Sequence, residues 1–139
     1  MSGHIPARLA RAARRRAKDI CEYCRLPQAW QEAAFHLDHV IPRVDGGPTT
    51  LQNLALACVS CSLRKSARIR ARDPQTGKFV PLFNPRRDRW PEHFSLNRRY
   101  VVQGRTAKGR ATAAALGMNR PHLVDLRRQL AAIGEFPPP

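Results

Sequence analysis

Apolar positions along this chain come in short, separated stretches, and each stretch suggests a short element. Over residues 5–20, Leu9, Ala13 and Ile20 form a thin apolar stripe, and Arg8, Arg11, Arg15 and Lys18 recur at threes and fours. With Pro6 suited to a first turn, this spacing predicts a basic helix. Phe35 to Ile41 has strand character and stops at Pro42, before a Gly46-Gly47-Pro48 turn. Leu54-Ala55-Leu56 is short and apolar, and Cys58 opens a predicted helix that runs to about Arg72. Asp73 to Gly77 reads as a turn, and Lys78 to Leu82 as a strand that Pro81 confines to a sheet edge. Residues 83–105 read as irregular. Two helices are expected to close the chain. The first covers about 106–116 and stops at Gly117; the second has Asn119 as cap, Pro121 in its first turn and Gly134 at its end. The apolar face of the second, Leu123, Leu126, Leu130 and Ile133, could pack on the domain or on a second copy, so the oligomeric state stays open. The tail Pro137-Pro138-Pro139 should be extended or frayed. No internal repeat is visible. The segments are 1–20, a basic helix; 21–72, the motif-bearing core; 73–105, a turn, strand and irregular extension; and 106–139, the closing helices.

Composition limits what this pattern can build. The chain has 139 residues, one ordinary domain, and 42% of them are apolar. Nineteen of the apolar residues are Ala, so a small core is expected. Lys and Arg total 25 against ten Asp and Glu, a formal charge of +15. That excess points to a polyanionic partner, most simply nucleic acid, and away from most small-molecule metabolic enzymes. Arg outnumbers Lys by 21 to four, which suits bidentate phosphate contact and equally suits an Arg- and Ala-rich codon bias. The longest apolar run, Leu54 to Val59, is far too short to cross a membrane. The N-terminal Arg run is not followed by the apolar region of a secretory signal. A cytoplasmic, reducing setting is therefore expected, where four cysteines are metal ligands more readily than disulfides.

Those cysteines are Cys21-x2-Cys24 and Cys58-x2-Cys61. Two such knuckles place four thiolates around one ion, a set that selects Zn²⁺. Two disulfides, a redox pair or an iron–sulfur cluster use the same residues, but no thioredoxin-like strand precedes either pair. Four sulfurs close the coordination sphere, so the expected role is to hold the fold, stapling the segment before the strand to the start of the following helix.

Between the knuckles lies Phe35-His36-Leu37-Asp38-His39-Val40-Ile41-Pro42. Adjacent Asp38 and His39 point to opposite faces of a regular strand, so the pair alone is weak evidence. The order Asp-His-Val-x-Pro, Gly-Gly, Asn53-Leu54, Cys-x2-Cys and Lys65 closely resembles the HNH endonuclease family of the four-cysteine zinc type. Strict motifs span about residues 20–70. The similarity extends through Asp73-Pro74-x-Thr76-Gly77, Leu82-Phe83-Asn84-Pro85-Arg86 and Trp90-x-Glu92-His93-Phe94 to a bacterial subgroup of small HNH proteins.

The resemblance implies an α+β chain with a ββα-metal core, two antiparallel strands and a helix around a divalent cation. It also implies hydrolysis of DNA phosphodiesters, with RNA left open. His39 matches the general base, and an imidazole with an ordinary pKa near 6.5 supplies one at neutral pH. Asp38 matches a ligand of catalytic Mg²⁺ or Mn²⁺. Asn53 matches the middle Asn, which braces the loop and the His. Ser62 stands where the family places Asn or His as a second metal ligand. A hydroxyl is a poorer donor there, which leaves a zinc-stabilised nucleic-acid-binding module with a weakened catalytic centre as the alternative. His36 shares the strand face of Asp38 and could supplement the metal set. Candidate phosphate contacts are Lys65, Arg64, Arg68 and Arg43, with Arg11 and Arg15 on the first helix. Arg68, Arg70 and Arg72 are expected to continue the second helix, and Arg86, Arg87 and Arg89 form a further cluster. His93 reads as structural beside Trp90 and Phe94, and His4 and His122 carry no signal.

Overall fold

The computed structural model describes residues 4–139; residues 1–3 of the N-terminal segment lie outside the described residues. The predicted first helix forms as α1, Ala7–Arg16, preceded by Pro6. It stops short of residue 20 because Lys18 and Asp19 both take left-handed conformations, with φ of 56°. Ile20 then leaves the helix to bridge Pro27. The thin stripe buries little, with Ala13 the only fully covered position of the helix. Side-chain hydrogen bonds supplement this packing. Arg14 donates to the Phe35 carbonyl at 2.8 Å, and Arg16 donates to Leu51 and Leu54 carbonyls at 2.7 and 2.5 Å.

The central hairpin pairs β1, His36–His39, with β2, Leu54–Ala57, in antiparallel register, His36 opposite Ala57 and His39 opposite Leu54. All four residues of β2 are buried, which explains its unbroken apolar run. The connection between the strands turns back sharply at Gly46, with φ of 83°. A Cβ on Gly47 would lie 1.7 Å from the Ile41 carbonyl oxygen, so no other residue fits that approach. Helix α2, Val59–Lys65, follows β2 directly, and the Cys58 sulfur caps it by accepting from the Cys61 N–H. Hairpin and helix together make the expected ββα unit.

The helix expected to reach Arg72 ends at Lys65. Ser66 turns the chain with φ of 51°, and Arg70–Arg72 becomes strand β3, paired antiparallel to β4, Phe79–Pro81. Arg70 and Arg72 face solvent while Ala71 is buried, a period-two alternation that the helical spacing of Arg68 and Arg72 had masked. The turn between these strands is held by Asp73. Its carboxylate accepts from the Gln75 N–H and the Thr76 hydroxyl, and Arg110 grips it with two bonds of 3.0 and 2.9 Å.

Residues 83–105, expected to be irregular, are ordered as a short helix α3, Trp90–His93, and a hairpin of β5, Phe94–Leu96, with β6, Val102–Gly104. Asn97 organises the hairpin turn by accepting from the N–H groups of Arg99 and Val101. Phe83 packs edge-on against Tyr23, His93 and Phe94, so the ring partner of His93 is Phe83, where Trp90 and Phe94 were expected.

Helix α4, Ala107–Ala115, is capped by Thr106, and α5, Pro121–Ala132, opens on Pro121 after Arg120. Asn119 does not cap α5. Its amide instead pairs with both backbone groups of Val102, pinning β6. Leu123 and Leu130 are buried and Leu126 is partly covered by the core, whereas Ile133 is 58% exposed. Most of the α5 apolar face is therefore covered within the chain. In the tail Phe136 is buried, packing against Tyr100. One contiguous core runs from Cys21 to Phe136. Among the described residues, no helix is long and apolar enough to cross a membrane.

Candidate active site and metal centre

The two knuckles meet. The four sulfurs lie within 4.8 Å of one another and are buried. The Sγ atoms of Cys24 and Cys58 are 3.7 Å apart, which matches the roughly 3.8 Å edge of a tetrahedron with metal–sulfur bonds of about 2.3 Å. Each knuckle turns identically, with the second cysteine's N–H donating to the first cysteine's sulfur at 3.4 Å. The Cys24 and Cys61 thiols are pushed well up because they donate hydrogen bonds to neighbouring sulfurs and are buried. At Cys21 burial also opposes the thiolate, but bonds from Cys24, Cys58 and Cys61 override it and pull its pKa down. Four sulfurs this close cannot all ionise unless a cation sits among them, so donor type, spacing and burial all fit a four-thiolate metal ion.

The remaining candidates gather on one side of the β1–α2 junction. His36, Asp38, His39 and Ser62 line a groove of about 830 Å³, together with Arg14, Arg43, Val44 and Leu63. His36 is exposed, and its Nδ1 is hydrogen-bonded to the Ser62 hydroxyl at 2.9 Å, which brings strand and helix candidates together. Asp38 is 8% exposed, and both its oxygens are engaged. Oδ2 accepts from the Tyr23 hydroxyl at 2.7 Å, and the Lys65 ammonium lies 3.1 Å from the same oxygen and 3.3 Å from Oδ1. Burial raises the Asp38 pKa, and Lys65 and Tyr23 pull in the opposite direction. His39 has its pKa lowered by burial and by the Arg43 charge, which favours the neutral imidazole. Its Nε2 is hydrogen-bonded to the Thr49 hydroxyl at 2.8 Å.

Asn53 is buried behind these groups. Its Oδ1 accepts from the Ile41 N–H at 2.9 Å, and its Nδ2 donates to the carbonyls of Ile41 and Pro48 at 3.0 and 2.9 Å. The loop that follows His39 is thus closed by one side chain. Carboxylate, imidazole and hydroxyl groups on one groove are donor types that a hard divalent cation accepts.

Two residues in this arrangement were not evident from sequence. Tyr23 sits inside the first knuckle and carries its hydroxyl to Asp38; the clue was a tyrosine between two buried cysteines. Thr49 follows the Gly-Gly-Pro turn with nothing in the sequence to mark it. One expectation is corrected. Lys65 was expected at a phosphate, yet it is 1% exposed and donates to Asp38 and to the carbonyls of His39 and Val40 at 3.2 and 3.1 Å. Its charge is directed inward. Of the arginines, Arg43 lines the groove and Arg11, Arg15 and Arg64 are exposed. Arg68 bonds the carbonyls of Arg64 and Ala115, and Arg86 pairs with Glu22.

A hairpin and helix carrying thiolate knuckles at both ends, with His and Asp on the hairpin, define a zinc-type ββα-metal unit. Residues 21–68 match the family model for HNH endonuclease. The family implies a nucleic-acid substrate and nuclease-type chemistry. No curated protein matches the chain.

Proposed function

We propose that this protein is a metal-dependent endonuclease that hydrolyses DNA phosphodiesters, with zinc at the four cysteines holding the fold. The observation that carries this reading is the shared groove of His36, Asp38, His39 and Ser62, with His39 biased towards its neutral form. Asp38, with His36 and Ser62 beside it, would hold Mg²⁺ or Mn²⁺, which when bound stabilises charge on the phosphoryl oxygens and the leaving oxygen. In the tautomer whose Nε2–H donates to the Thr49 hydroxyl, the Nδ1 lone pair of His39 is the one that takes a proton from the attacking water. The new P–O bond forms as the bond to the 3′-oxygen breaks, giving a 5′-phosphate and a 3′-hydroxyl. Lys65 and Tyr23 fix the Asp38 carboxylate, and Asn53 fixes the loop behind His39. Arg43, Arg64, Arg11 and Arg15 are the phosphate contacts we favour, and Arg68 joins them where it exchanges its carbonyl partners for phosphate. Residues 21–72 act as the nuclease core, with 1–20, 73–105 and 106–139 as supporting segments, in the cytoplasm.

The second reading, a nucleic-acid-binding module with a weakened centre, is favoured by one observation. Both Asp38 oxygens already have partners within the protein, and Ser62 contributes only a hydroxyl. Supercoiled plasmid incubated with Mg²⁺ or Mn²⁺ separates the two. Nicking by the wild type that is lost in His39→Ala supports the enzyme. Equal nicking by both proteins refutes it, and tight binding without nicking selects the module. RNA offered in the same assay decides the substrate. Ser62→Asn should lower the metal concentration needed; unchanged metal dependence would remove Ser62 from the site.

A further inference from the structure

The hairpin of β3 and β4 packs one face on the core and leaves the other bare. Ala71 and Val80 sit opposite each other against the core, whereas Arg70 and Arg72 on β3 and Phe79 and Pro81 on β4 are exposed. Phe79 is 59% exposed, and the Arg72 guanidinium lies over its ring, 5.4 Å from the centroid. Arg70 donates to the Phe79 carbonyl at 3.1 Å, so two arginines surround this one aromatic residue. Lys78 beside it is exposed as well. Among the described residues none of these three cations pairs with a carboxylate, and Asp73, the acid of the turn, is buried and held by Arg110.

At its Arg70–Pro81 end the bare face runs into a cavity of about 320 Å³ that shares no lining residue with the groove. Ile41 and Ile69 give the cavity apolar walls that solvent still reaches, and Arg87 adds an exposed cation with no carboxylate partner among the described residues. Its own carboxylate, Asp88, is bound to Lys108 at 3.0 Å. Lys65 reaches from the cavity wall to Asp38 and the His39 carbonyl, which puts the cavity within one side chain of the groove. Cations for phosphates, interleaved with aromatic and apolar surface for bases that are free to stack, are what a single strand requires. A closed duplex offers the same phosphates but keeps its base faces covered, which would leave Phe79 without a partner.

We propose that the outward face of β3–β4 and the adjoining cavity form a second nucleic-acid surface, which holds an unpaired DNA strand with a base on Phe79 and phosphates on Arg70, Arg72 and Arg87. The proposal rests on nucleic acid being the partner of the groove. The DNA so selected carries an unpaired segment as well as the bond to be cut.

The test measures the anisotropy of labelled oligothymidylate and of a blunt duplex of the same length on the full chain, with His39→Ala in every protein so that no strand is cut. Phe79→Leu keeps an apolar side chain and removes the ring. It should weaken single-strand binding about fivefold to a hundredfold, the range of one base–aromatic stack, and leave duplex binding within about twofold. Phe79→Trp should keep single-strand binding. Arg70→Gln together with Arg72→Gln should flatten the single-strand salt dependence by about 1.4 log units per tenfold rise in salt, two contacts at about 0.7 each. Equal weakening on both DNAs, single-strand binding unmoved by Phe79→Leu, or an unchanged salt slope would each overturn the proposal. Should a variant unfold, photocrosslinking to the ribbon of the unsubstituted protein decides. Oligothymidylate carrying 5-bromouracil should attach to β3–β4 or the cavity wall, and adducts confined to the groove overturn the idea. Binding of neither DNA overturns this proposal and the nucleic-acid reading together, whereas duplex binding without single-strand binding overturns this one alone.

Discussion

Replacing Lys65 by Met removes a charge and keeps most of the volume. The ammonium and the Asp38 carboxylate are both buried, 3.1 Å apart, and the same nitrogen serves the carbonyls of His39 and Val40. Removing one partner of such a pair leaves an uncompensated carboxylate and costs about 3–5 kcal/mol. With a urea slope of about 2 kcal/mol/M, typical of a small domain, the midpoint should fall by roughly 2 M. Equilibrium unfolding followed by Trp fluorescence, with Trp90 packed against Phe94, measures this. Asp38→Asn in the same chain should recover at least about 1 kcal/mol, because the two residues are in contact and their effects do not add. The deficit also has a sign in pH. Lys65 is the strongest influence lowering the Asp38 pKa, so without it that pKa, already raised by burial, climbs further. A carboxyl whose folded pKa exceeds its unfolded value destabilises above that pKa, and the penalty disappears as pH falls through it. The gap between Lys65→Met and wild type should therefore narrow from pH 7 to pH 4. A deficit below about 1 kcal/mol, or one constant over that range, would refute the assignment of Lys65 as the neutralising partner of Asp38.

Three further outcomes follow from the site. The lowered His39 pKa keeps the imidazole neutral to more acid pH, so the acid limb of a nicking profile should have its midpoint below about 6.5, and a midpoint at or above that value would count against His39 as the base. Gly47→Ala forces a Cβ onto the Ile41 carbonyl and against Asn53 Nδ2, and it should disturb the loop behind His39 and cut nicking at least tenfold while DNA binding measured by anisotropy stays within a few-fold. Zinc stripped by a chelator should abolish cooperative unfolding, since the knuckle cysteines lie in the core, and added Zn²⁺ should restore it; a sharp metal-free transition would contradict the staple.

The legible part of the molecule was the part with punctuation. Two cysteine pairs, an Asp-His pair, Gly-Gly-Pro and a single Asn sit at spacings that require a hairpin, a turn and a helix, and those elements lie where the motifs placed them. The end of α2 was not legible, because Arg68, Arg70 and Arg72 fit a helical face as well as a strand, and what decides is Ser66 and the pairing of β3 with a strand beyond the Asp73 turn. Lys65 was misread for a related reason. A lysine on a short helix looks solvated until the partner that draws it inward, Asp38, is known to lie underneath. Asn119 has the composition of a cap, yet the backbone of Val102 claimed its side chain. Arg127, fully buried on α5, hid in a charge total that treated every arginine alike.

The central hairpin has only two strands, so both of its outer edges are open to pairing with a stranger. On the β2 side the chain fills that edge with its own polar groups. Glu22 exchanges bonds with both backbone groups of Leu56, its carboxylate taking the N–H and its N–H reaching the carbonyl, and Arg16 occupies the Leu54 carbonyl. Arg14 does the same for Phe35 at the start of β1. The basic helix is thereby a sealant as well as a charge. Its loss would free the Phe35, Leu51 and Leu54 carbonyls and leave Glu22 alone on the β2 edge.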